Sequence, residues 1–315
     1  MADIETGRLT RDALEARVVR YADLRPCYNA FIDTRTPGSE AKENFTIIGP
    51  GVSENPEQHV HIAEPHGFNI GGARQPPACV NSQHSHDTAE VFVAHSGTWR
   101  FDFGEHGEDA QVMLHPGDVI SIPTKTFRGF TNVGEDVGFL WAVLGQDNPG
   151  RVTWAPQVFE MAQDYGLVLL ENGQLVDTSK GEAVPAGKRP MPATSRTQVE
   201  ALTRYRQDEA ERLVVRAATH AERVIGSDAP LNWPHGFTLH RHELAGNASF
   251  DPRGAVLFVH RGTATLTADG ASVTLGEGDT MTVPADLPDA RLRGDALVFA
   301  VQRSDEVGAG SSIKA

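Results

Sequence analysis

HSHDTAEVFVAHSG, residues 84–97, places three histidines and a glutamate within one short stretch. His84 and His86 are separated by one residue, so on a strand both imidazoles leave the same face and can converge. Glu90 follows after DTA, which either continues the strand in the same parity or turns into the next one. In both cases its carboxylate can reach the two rings. Two imidazoles and one carboxylate on one face are the donor set that suits non-haem Fe(II), and Mn, Ni, Zn and Co also accept it. His95 lies an odd number of residues past Glu90 and points to the opposite face of a regular strand.

Working outward from this stretch, the chain repeats itself. PHGFNI at 65–70 returns as PHGFTL at 234–239, VAHSGTW at 93–99 as FVHRGTA at 258–264, and GDVISIP at 117–123 as GDTMTVP at 278–284. The offsets are 169, 165 and 161 residues, so the order is kept and each shortening falls in a turn. This is a tandem duplication. Within each copy short runs alternate apolar and polar residues, as in GTWRFDF (97–103) and GTATLTADGASVTLGEGDTMTVP (262–284), which marks half-buried antiparallel strands. The reading is all-β: two tandem β-barrels, at 46–150 and 216–303, with an N-terminal helical arm (1–45), a partly helical connector (151–215) and a disordered tail (304–315). In the connector a helix is expected between Pro156 and Gly166, a hairpin around Asn172-Gly173, and a second helix opened by a Thr197/Glu200 capping box.

The two copies differ where the chemistry lies. Aligned on Gly97 and Gly262, Ser249, Asp251 and Ala255 stand opposite His84, His86 and Glu90, whereas His260 stands opposite His95. A histidine kept where the donor set is gone answers to the fold, so His95 and His260 read as structural, as do His66 and His235. HVH at 59–61 and HRH at 240–242 lack a carboxylate at the required spacing and read the same way.

With these residues in view the chain resembles the cupin superfamily, and within it the two-domain bicupins. The first cupin motif runs Gly, five residues, His-x-His, three or four residues, Glu, six residues, Gly; here it is met by His84, His86, Glu90 and Gly97, with Ala78 in place of the leading glycine. The second motif, Gly-x5-Pro-x-Gly-x2-His-x3-Asn, is met in GDVISIPTKTFRGFTN by Gly117, Pro123 and Asn132. Lys125 replaces its second glycine, and Arg128 stands where the fourth ligand histidine belongs. The resemblance implies two jelly-roll barrels, the first binding a divalent transition metal, Fe(II) first among the candidates, through His84, His86 and Glu90. A guanidinium has no lone pair to give, so Arg128 reduces the four-ligand site to three. Arg128 then either forks onto a carboxylate or enolate of the substrate or forms an ion pair with Glu90 or Asp87. Arg128 and Glu90 are the candidate catalytic residues, Glu90 by leaving the metal to take a proton. The activity implied is that of a dioxygenase on a small aromatic or enolisable acid, similar to ring-cleaving dioxygenases of the gentisate type and flavonol-cleaving enzymes. Alternatives are a non-redox isomerase or lyase on a sugar or keto acid, and a non-catalytic small-molecule-binding protein. A homodimer or higher homo-oligomer is expected by the same analogy.

Composition narrows the partners. Asp and Glu number 42 against 28 Lys and Arg, a formal charge of −14, which repels phosphate backbones and anionic lipid. Nucleic acid and membrane partners are not expected; an anionic small-molecule substrate is. The opening MADIETGRLTRDALEARVVRY is charged and amphipathic with no apolar core segment, and a cytoplasmic location is expected. Cys27 and Cys79 lack any paired spacing and read as reduced, packed thiols.

Overall fold

The computed structural model describes residues 9–304 and divides the chain into two compact units, Arg25–Thr219 and residues through Leu24 together with His220 onward. The tail read as disordered, from Asp305, lies outside the described residues, as does the start of the N-terminal segment. No helix among the described residues is long and apolar enough to cross a membrane.

The barrel of the larger unit is built from two sheets. One runs in the order Val152–Trp154, Val80–His86, Arg128–Asn132, Trp99–Phe103, Ala110–Leu114; the other runs Val214–Val215, Val119–Ile122, Glu90–Ser96, Gly138–Gly145, Phe68–Gln75, Glu43–Ile48, Val60–Ile62. All of these pairings are antiparallel except Glu43–Ile48 with Val60–Ile62. The alternation seen in the sequence is the burial pattern: Trp99, Phe101 and Phe103 are fully buried while Arg100 and Asp102 face outward and pair with each other. The connector helix Pro156–Asp164 lays Val158, Phe159 and Ala162 against Trp154 and Ile32, and it ends at Gly166, which has a φ of +75°. Strands Leu167–Leu169 and Leu175–Asp177 form the expected hairpin around Asn172-Gly173. The second connector helix, Arg196–Glu200, is capped two residues before the expected place. Ser195 accepts from the Gln198 amide and Gln198 reaches back to the Ser195 amide, so the reciprocal pair is Ser195/Gln198 rather than Thr197/Glu200.

In the smaller unit, strands of 14 and 13 residues, Ala255–Ala268 and Arg291–Arg303, pair along most of their length, and one hydrogen-bonded sheet supplies the whole barrel. The hairpin Ala255–Ala268/Ala271–Leu275 turns on Asp269 and Gly270, both with positive φ, as the Asp-Gly pair in the sequence requires. The N-terminal helix Arg11–Glu15 buries Leu14 in this barrel's aliphatic core, and Val18–Val19 adds a strand against Thr280–Thr282. The glycine common to both copies has one reason in both. A Cβ on Gly97 would come within 2.7 Å of the Gly138 Cα, and one on Gly262 within 2.1 Å of the Asp295 carbonyl.

Candidate metal centre

His84 and His86 lie on Val80–His86 and point to the same side, their ring centroids 5.1 Å apart. Residues 87–89 turn the chain, and Glu90 opens Glu90–Ser96 in the other sheet, so the third donor comes from across the barrel. One ligand atom from each of the three residues lies within 4.8 Å of the others, and all three residues are buried. Among the described residues no other group of three such side chains is gathered this way.

The environment holds the imidazoles ready to donate. Burial, reinforced by the nearby Arg128 guanidinium, keeps both histidines well below their usual range, so both rings are neutral. His84 Nδ1 lies 2.6 Å from the Ser82 carbonyl; with the proton on Nδ1, the Nε2 lone pair is free. His86 Nδ1 is buried without a hydrogen-bond partner, and His86 Nε2 stands 3.5 Å from Glu90 Oε2. A ring nitrogen left unpaired in the interior is costly unless something outside the protein binds it. Trp154 rests beside His84 at 5.1 Å between centroids, its strand paired with that of the two histidines.

Arg128 is 1% exposed; both terminal nitrogens of its fork donate to the protein itself, while Nε is buried without a hydrogen-bond partner. Nη1 donates to the His84 carbonyl at 2.9 Å and Nη2 donates to Glu90 Oε2. Glu90 Oε1 has no partner among the described residues. Burial pushes the Glu90 carboxyl up and Arg128 opposes that shift. Of the two partners expected from the sequence, Glu90 holds Arg128; Asp87 instead accepts from the Arg151 amide. The donor set therefore fits a divalent metal: two neutral imidazoles and a carboxylate with one oxygen unclaimed. Arg128 sits behind that carboxylate, not among the side chains lining the adjoining cavity.

That cavity lies between the two sheets and is lined by His84, His86 and Glu90, with Phe92, Phe130 and Trp154 among its walls. Phe130 and Phe92 also pack with Phe101 in an aromatic cluster at 5.3 Å.

The remaining histidines are held elsewhere. His95 stands edge-on to Phe139 at 6.0 Å and His260 edge-on to Phe299 at 5.8 Å, the same contact in both copies. His61 accepts from the Arg25 amide, His66 contacts the Glu64 carbonyl, and His235 stacks on Trp233. In the second copy Asp251 pairs with Arg253, and Ala255 joins a core of leucine, valine and alanine, so apolar packing fills that interior.

Sequence parity missed Asn81. Between Asn81 and His84 the strand carries one residue more than its partner, which goes from Phe130 to Arg128. This bulge moves Asn81 onto the inward face with the two histidines, against the period of two. Trp154 was missed because its three-residue strand lies past 150, where the sequence changes to a helical pattern.

Comparison with known proteins bears on the fold around this site. A family described as cupin domain matches residues 73–143. A germin-like protein of Arabidopsis thaliana, subfamily 1 member 7, is 34% identical over 88 residues, covering 26% of this chain and 38% of that protein. An oxalate decarboxylase of Lactobacillus farciminis, solved as a formate complex, superposes with a TM-score of 0.51 at 10% identity, covering 91% of this chain and 86% of that one. A salicylate 1,2-dioxygenase from Pseudoaminobacter salicylatoxidans gives 0.46 at 13% identity, covering 76% and 72%. Procruciferin, the 11S globulin of Brassica napus, gives 0.48 at 13% identity, covering 75% of each chain. At 10% identity the oxalate decarboxylase speaks to the fold alone, and the two matches below a TM-score of 0.5 carry no argument.

Proposed function

We propose that the first barrel, in which residues 73–143 match the cupin-domain family, is a metal-dependent oxygenase site for a small aromatic or enolisable compound. The observation that carries this reading is the buried triad of His84, His86 and Glu90 lining a cavity that also has aromatic walls. A divalent metal held by these residues, Fe(II) first among the candidates, would supply a Lewis-acid centre with open positions for substrate oxygens and dioxygen.

The chain's own residues set the rest. His84 is oriented by the Ser82 carbonyl and by Trp154. Glu90 is oriented by Arg128, which holds one carboxylate oxygen and leaves the other to the metal. With its fork engaged inside the protein, Arg128 acts by positioning Glu90 and does not line the cavity that would take the substrate. Phe92, Phe130 and Trp154 give the cavity aromatic walls that suit a flat ring. Glu90, buried with its carboxyl pushed up, is the group placed to take a proton from the substrate.

The test is oxygen uptake. The full chain reconstituted anaerobically with Fe(II) is mixed with small aromatic diols and enolisable acids, and dioxygen is followed with an electrode. Uptake that depends on both metal and substrate, and is lost in His86→Ala, supports the reading. A fully metal-loaded protein that turns over a sugar or keto acid without consuming dioxygen overturns it in favour of isomerase or lyase chemistry.

A further inference from the structure

We propose that the ligand of the first barrel carries uncharged hydroxyl or carbonyl groups that are read by the side-chain amides of Asn44, Asn81 and Gln58. The proposal rests on the reading of this cavity as the substrate site and deepens it by substrate class.

Asn44 lies on Glu43–Ile48 and Asn81 on Val80–His86, in the two different sheets, and both line the cavity. Each is 6% exposed, and neither side chain makes a hydrogen bond within the described residues. Gln58 lines the same cavity, donating Nε2 to Thr46 Oγ1 and leaving Oε1 buried and unpaired. Buried primary amides are nearly always satisfied, because leaving one unpaired forfeits its hydration with no return.

The same barrel shows what a structural amide looks like. Asn69, also on the cavity wall, donates to the Gln146 carbonyl at 2.7 Å and accepts from the Gly51 amide at 2.9 Å. Asn132 donates to the carbonyls of Gln75 and Asp136 and accepts from the Gly134 amide. Gln75 and Gln157 also have unpaired amide atoms, but neither lines the cavity. The side chains of Asn44 and Asn81 make no hydrogen bond within the described residues, so their amides are available to a ligand on two sides.

Charge decides the class. Among the described residues no lysine or arginine lines the cavity, and its carboxylate, Glu90, is neutralised by Arg128. A carboxylate or phosphate entering the protein's own cavity would lose its hydration and meet no cationic side chain. An amide offers both a donor and an acceptor, which matches hydroxyl and carbonyl groups on a small body.

The test separates the amides from the metal by using a ring that does not chelate. The full chain, once stripped with chelator and once loaded with Zn(II), is titrated calorimetrically with resorcinol and with benzoate, alongside Asn44→Leu and Asn81→Leu. Alanine versions serve at either site where leucine does not fold. Resorcinol is expected to bind at millimolar concentration or below in both forms, and benzoate more weakly in the stripped form. Each variant should weaken resorcinol by about three- to tenfold, the loss of one hydrogen bond, with a melting temperature unchanged or raised. Benzoate binding the stripped protein as tightly as resorcinol, resorcinol failing to bind at millimolar concentration, variants that bind like the wild type, or a melting temperature that drops in both the leucine and the alanine version of a site each overturn the proposal. Zinc content of the loaded samples reports separately on the metal centre, so its failure is not confused with failure of the amides.

Discussion

Arg128 stands where the fourth ligand histidine belongs in the pattern the chain resembles, and its complete burial decides what that exchange does. The pair it forms with Glu90 is inside the barrel, so removing one partner strands a charge. Arg128→Met is expected to cost about 3 to 5 kcal/mol in chelator-treated protein, measured by urea denaturation, because Glu90 is left buried and alone. Saturating Zn(II) should return part of that loss, since a cation again faces the carboxylate. Unchanged stability would show that the pair does not hold Glu90. The other two departures from the motif have a backbone reading. Ala78 and Lys125, both in place of glycine, adopt φ of +61° and +58°, the left-handed region that a glycine enters freely. Ala78→Gly and Lys125→Gly are each expected to stabilise by about 0.5 to 1 kcal/mol, the left-handed penalty less the glycine entropy, and a lower denaturation midpoint would contradict this. At this scale His84, His86 and Glu90 were legible, because their spacing alone puts donors on one face. Arg128's partner was legible only as an alternative, and Asn44 and Asn81 were not legible at all, since an unpaired amide is a property of its surroundings.

Elements behind the site tune it without touching the cavity. Glu54, in the loop before Val60–Ile62, accepts from Trp154 Nε1 at 2.6 Å and from the Ile32 amide at 2.7 Å, and so ties down the indole that rests beside His84. Burial pushes its carboxyl up to about 8; the two hydrogen bonds oppose the shift, and nearby Asp33 adds to it while Lys42 opposes it. The unfolded chain sheds this proton near the ordinary carboxylate range while the folded protein keeps it, so stability falls as pH rises from there to about 8. Glu54→Gln should flatten that slope, read as denaturation midpoints across the interval; an identical slope in wild type and variant would refute the assignment. Strands and turns were legible from alternation and from pairs such as Asp269-Gly270, because those signals are local. The bulge between Asn81 and His84 was not, since register depends on the partner strand. The capping box was displaced because Thr197 and Ser195 compete for one role, and the helix starts at the earlier residue.

For the whole molecule, the duplication visible in the sequence is a duplication of form, with the His84, His86 and Glu90 group in one copy. Gly97 and Gly262 recur because the backbone crosses closely at both, and His95 and His260 recur because each packs on a phenylalanine. The donor triad recurs nowhere among the described residues, and aliphatic side chains fill the second barrel. Where the N-terminal residues belong was not legible, because Leu14 finds its apolar neighbours more than two hundred residues away in sequence. The central claim is that the first barrel holds a metal through His84, His86 and Glu90. The most direct measurement is metal content by mass spectrometry after anaerobic reconstitution and desalting, comparing the wild type with His86→Ala and with His95→Ala. About one transition-metal ion per chain in the wild type and in His95→Ala, and its loss in His86→Ala, is the predicted result. Equal metal in all three proteins, or none in the wild type, would contradict the account.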